Sequence, residues 1–193
     1  AEQRIERCHI ELMKHPHFVA YSGILMIGDC KVDDHTMTAC TNGRDVRYGR
    51  KFVESLNDAD LRGVIIHEAK HKMYRHLLTW KHLQKQDAQR ANMACDYVIN
   101  LEIVDESHKS NNFITLPTGG LVSEKYRGLN SADVFNLLPP QPPQGGSGQG
   151  GGGGFDEHDW ENAENLTEQE KTELAHEIDQ AIRQGAILAG KVG

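Results

Sequence analysis

His67-Glu68-Ala69-Lys70-His71 places two imidazoles four residues apart, with a carboxylate directly after the first. On an α-helix, residues four apart share a face about one turn from each other, so both rings can bind one Zn²⁺ at about 2.1 Å. Glu68 then stands beside a water on that metal. The metal brings the pKa of the water toward neutrality; the carboxylate can accept its proton, aim it at a carbonyl and return the proton to a leaving amine. This is the chemistry of peptide-bond hydrolysis, and the pattern is HExxH. Short strings recur by accident, so the motif has meaning only on a helix, at a polar edge beside an apolar stripe.

A catalytic site of this kind holds its metal with three protein donors and leaves one position open. Asp96, His76, His82, Glu102, Asp105 and His158 are the candidates for the third. Asp96 is preferred. It follows His71 in a segment that is apolar on its other faces, where a cation offsets the cost of desolvating a carboxylate. The competing reading pairs Asp96 with a Lys or Arg, or makes it the cap of a neighbouring helix. His76, five residues after His71, is turned away from the ligand edge and reads as a neighbour of the site or a surface residue.

Helices must carry these donors. Asn57 or Asp58 caps a Pro-free segment with Ile66, Ala69, Met73, Leu77 and Trp80 on one stripe, which predicts a long helix over about 59–82. A third helix, over roughly 87–105, is apolar almost all round and belongs in the core. Before them, Ile5, Cys8, Leu12 and Met13 fall at helical spacing between Glu2 and Lys14. The β-formers from Phe18 to Cys30, and the Asn42-Gly43 turn signal, predict two or three antiparallel strands. A short helix capped by Asn130 or Ser131 closes a compact domain over 1–138. A Pro-then-Gly tract over 139–154 reads as a flexible linker. The remainder, 155–193, holds Asp156, His158 and Trp160 and a last amphipathic helix boxed by Thr167 and Glu170, expected to dock on the domain.

The chain of 193 residues carries a net charge of −7 and no long basic run, which argues against nucleic acid as a partner. Its apolar stretches are far shorter than the roughly 20 residues of a membrane span, and the charged N-terminus has no signal-like apolar core, so we expect residence in the cytoplasm. Cys8, Cys30, Cys40 and Cys95 are widely spaced and read as buried free thiols. No nucleophilic triad, P-loop or dinucleotide fingerprint is present; the glycines at 145–148 follow no strand and open no helix.

The blocks VIIHEAKHKMYRH, ANMACDYVIN and LPTGGLVSEKYRGLNSADVFNLL, in that order, resemble the zinc metallopeptidase domain that in many bacteria precedes a von Willebrand factor A-like domain and also occurs in phage proteins. The resemblance covers roughly residues 1–138. It implies one Zn²⁺ per chain on His67, His71 and Asp96, with Glu68 as base. It also implies an α+β, zincin-like fold, in which a small, mostly antiparallel sheet packs on the motif helix and a second helix gives the third ligand. Two departures stand out: Lys70 stands where the family usually has an apolar residue, and the 193 residues themselves contain no A-like domain.

Family members often carry an acidic DxHxW-like element after the linker, matched here by Asp156, His158 and Trp160. His158 has three readings: a further metal ligand that shuts the site, a substrate contact, or a structural residue that docks the tail. Tyr126 has two, an oxyanion contact in a substrate cleft or a ring packed on the core. The expectation is a peptidase acting on a peptide or protein, in a bacterial cytoplasm or, if phage-encoded, a virion. The alternative is a noncatalytic, metal-stabilised binding or virion-associated module whose tail closes the metal site.

Overall fold

The computed structural model describes residues 1–140, 156–160, 163 and 165–192, with backbone alone at 156–158 and 192. The first helix, α1 (Glu2–Lys14), buries Ile5, Cys8 and Leu12 at the expected spacing. The β-forming run after it is helical in its first half, against expectation. Val19–Tyr21 is a 3₁₀ turn and α2 spans Ser22–Leu25. The cause is tertiary. A C-terminal helix, Glu168–Val192, packs along both segments, and Phe18, Ile24 and Leu25 join Leu174, Ile178 and Ala181 in the main core.

Strands β1 (Cys30–Asp33), β2 (Ala39–Thr41), β3 (Val46–Gly49) and β4 (Asp156–His158) form one sheet in the order β1-β3-β2-β4. The Asn42-Gly43 turn does join β2 to β3 as an antiparallel pair, Asn42 Oδ1 accepting from the Arg44 and Asp45 N–H groups at 2.9 and 2.7 Å. The other two pairings, β1 with β3 and β4 with β2, are parallel, so the sheet is mixed rather than mostly antiparallel. The β1–β2 connection explains the difference. Asp33 accepts from the His35 and Thr36 N–H groups, and the turn sends the chain across the end of β3 instead of back along β1. It passes so close that a Cβ on Gly49 would lie 2.1 Å from the Thr36 carbonyl oxygen, which only glycine permits.

After α3 (Arg50–Ser55), helix α4 (Asp58–Met73) starts at Asn57, whose side chain accepts from the Asp60 N–H at 2.8 Å. The long helix expected to residue 82 breaks at Arg75, which is left-handed at φ 52°, and continues as α5 (His76–Thr79) and α6 (Lys81–Gln84). Arg75 is held there by Asp179 and the Ala175 carbonyl of the C-terminal helix. The core helix α7 (Ala88–Lys109) is capped by Asp87 and runs four residues past its expected end. Its partner α8 (Ser131–Leu137) opens on a capping box of Asn130 and Asp133.

The C-terminal helix begins at the Thr167–Glu170 box, with Thr167 N–H donating to Glu170 Oε2 at 2.7 Å. All but the first two residues of the expected linker lie outside the described residues. The four cysteines are free thiols; Cys30 is exposed rather than buried. Among the described residues, no helix is long and apolar enough to cross a membrane.

Candidate metal centre

Helices α4 and α7 pack against each other, and their contact face carries the chemistry. His67 and His71 lie one turn apart near the end of α4, and Asp96 faces them from α7; all three are buried, at 1, 0 and 3% exposure. Their ligand atoms converge. His67 Nε2 and His71 Nε2 are 3.0 Å apart, and Asp96 Oδ1 lies 3.7 and 3.5 Å from them. Two donors bound at about 2.1 Å to a tetrahedral ion stand about 3.4 Å apart, so the triangle has the dimensions of such a site.

Neighbouring residues set which nitrogen of each ring faces inward. The Asn100 amide donates through Nδ2 to the Leu121 carbonyl at 3.1 Å, which turns its Oδ1 toward His67 Nδ1 at 2.9 Å. This contact lets His67 donate from Nδ1 and present a lone pair at Nε2. His71 Nδ1 lies 3.1 Å from His76 Nδ1, so His71 can donate there and also present Nε2. Two ring nitrogens and a carboxylate oxygen thus meet in a buried space. A shared cation is what this donor set fits, and two imidazoles with a carboxylate suit a borderline divalent ion such as zinc.

Glu68 is equally buried but is outside this triangle of donors. It lines a cavity of about 20 Å³ with Lys72, Tyr48, Cys30 and His9, room for about one water. Burial pushes the Lys72 ammonium down to about 8, against the pull of the Glu68 carboxylate one turn before it. Burial likewise pushes the Cys40 thiol of β2 up to about 12, with the Glu68 charge adding to the rise.

Lys70, the departure from the resembling family, is 2% exposed and reaches α7 beside the ligand cluster. Its Nζ donates to Tyr21 Oη, Glu102 Oε2 and Glu106 Oε1 at 2.8, 2.9 and 3.0 Å. Burial alone would lower its pKa; Tyr21, Glu106 and Glu102 outweigh that and hold it charged.

The structure brings His67, His71 and Asp96 together and leaves other candidates apart. Glu102 serves Lys70 and Tyr74, and Asp105 pairs with Arg127. Tyr126 is 2% exposed, its ring edge-on to Tyr97 in a packing cluster with Leu101 and Val134. His158 contributes its backbone to β4, and its side chain lies outside the described residues. Asn100 was not anticipated, although a polar residue four after Asp96 in an otherwise apolar helix was a usable signal.

Residues 2–192 match the model of a family described as "putative metallopeptidase domain". The chain belongs to that family. The match runs through the tail as well as the first 138 residues. No curated protein and no solved structure gives a match. A metallopeptidase domain requires a metal, and the buried His67, His71 and Asp96 group is the candidate site for it among the described residues.

Proposed function

We propose that the protein is a zinc-dependent peptidase with His67, His71 and Asp96 as the ligands and Glu68 as the general base. The supporting observation is the convergence of three buried donors at tetrahedral spacing in a chain of the metallopeptidase-domain family. Zinc, when bound, supplies a Lewis acid that polarises a peptide carbonyl and makes a water easier to deprotonate. Glu68 takes the proton of the attacking water and passes it to the leaving nitrogen. Lys72 lies one turn from Glu68 and lines the same cavity. Asn100 and His76 keep the Nε2 atoms of the two ligands aimed inward. The arrangement we infer is zincin-like: a motif helix beside a small sheet, a second helix giving the carboxylate, and a peptide or protein as substrate.

Glu68→Gln tests this reading. The variant keeps its zinc and its melting temperature, and hydrolysis of a broad peptide library falls by about 10²–10⁴-fold. Bound zinc with no Glu68-dependent cleavage would instead favour the noncatalytic module, for which the pairing of β4 with β2 beside α4 is the specific support.

A further inference from the structure

Residues 156–160 bridge β2, which packs on the motif helix, and α7, the helix of Asp96. At one end β4 pairs with β2, Cys40 opposite Glu157 and Thr41 opposite His158, and β2 packs on α4. The Asp159 N–H extends the pairing to the Thr41 carbonyl at 3.0 Å, and its carboxylate takes the Arg47 guanidinium of β3 at 2.7 Å. At the other end Trp160 is buried beside Leu77, and its indole N–H donates to Asn92 Oδ1 at 2.6 Å. Asn92 lies four residues before Asp96, one turn along the same face of α7. Five residues therefore run from the strand packed on α4 to the turn of α7 that precedes Asp96.

We propose that residues 156–160 form a strap across the metal centre, seated on the β2 edge where an extended peptide substrate pairs. This inference rests on the peptidase reading for its substrate, but the covering of the site can be tested without it. Parallel pairing over three residues is a short ladder, and its backbone groups are those that any extended polypeptide offers to a strand edge. Side chains at 159 and 160, outside the ligand set, anchor the segment. The folded protein is accordingly latent, and a peptide gains β2 only when the strap leaves it.

The test uses the full chain loaded with zinc, as wild type, Asp159→Asn, Trp160→Ala and the double variant, each with and without Glu68→Gln. Zinc release to an excess of chelator and hydrolysis of an unfolded protein substrate are measured. The strap predicts release at least tenfold faster in the variants and Glu68-dependent hydrolysis raised severalfold. Release at the wild-type rate in every folded variant would overturn it; Asp159→Asn decides if Trp160→Ala does not fold. Faster release with lower hydrolysis would also overturn latency, since the segment would then assist substrate. Faster release with no Glu68-dependent hydrolysis in any form would sustain the cover over the metal and remove the peptidase reading.

Discussion

Asn100 and His9 show how single side chains set the protonation of this molecule. Asn100 offers an acceptor to His67 Nδ1 from a helix that the sequence marks as apolar almost all round, and its role becomes visible only once Leu121 is seen to hold its amide. The clustering of the motif histidines with Asp96 was legible because i, i+4 spacing puts both rings on one helix face and a carboxylate in an apolar helix needs a partner. His76 was ambiguous because its approach to His71 depends on the left-handed Arg75, which no residue type announces. His9 borders the Glu68 cavity, and burial, reinforced by Lys72, lowers its pKa to about 4. Its folded pKa is below the unfolded value of 6.5, so its contribution is complete above pH 6.5 and is lost as pH falls toward 4. We expect wild type to lose up to about 3 kcal/mol more stability than His9→Gln across that window, read by urea unfolding at each pH.

Helices α4 and α7 meet through two adjacent sets of side chains, the ligands His67, His71 and Asp96 and the ion pairs of Lys70 with Glu102 and Glu106. Lys70 with Tyr21, Glu102 and Glu106 ties the two helices together behind the histidines, which accounts for a buried cation where the resembling family has an apolar residue. Lys70→Met leaves two partly exposed carboxylates without their cation and should cost roughly 2–3 kcal/mol, measured by denaturant unfolding. A neutral or stabilising result would mean that packing alone sets the helix register. Element boundaries were less legible than the ligands. The 18–30 run read as strand because its residues are β-formers, yet the C-terminal helix lying against it favours helical turns. The sheet read as antiparallel because the Asn42-Gly43 hairpin is a local signal, whereas the parallel pairings of β1 and β4 come from a crossing loop and a distant tail.

The C-terminal helix is part of the main core, so removing the tail does more than open the site. Leu174, Ile178 and Ala181 pack with Phe18, Ile24 and Leu25, and a Cβ on Gly185 would lie 1.9 Å from the Ala20 carbonyl oxygen. Losing a buried Leu or Ile to Ala commonly costs about 2–5 kcal/mol. A chain ending at residue 138 loses three core positions together and should fail to melt cooperatively by circular dichroism. A cooperative melt would show that 1–138 folds by itself. The central claim is the ligand set, and the most direct measurement is zinc content per chain by elemental mass spectrometry, on wild type and on folded Asp96→Ala. About one zinc per chain in wild type, lost in the variant, is the predicted result. No metal in wild type after zinc is supplied, or full zinc in Asp96→Ala, would contradict it.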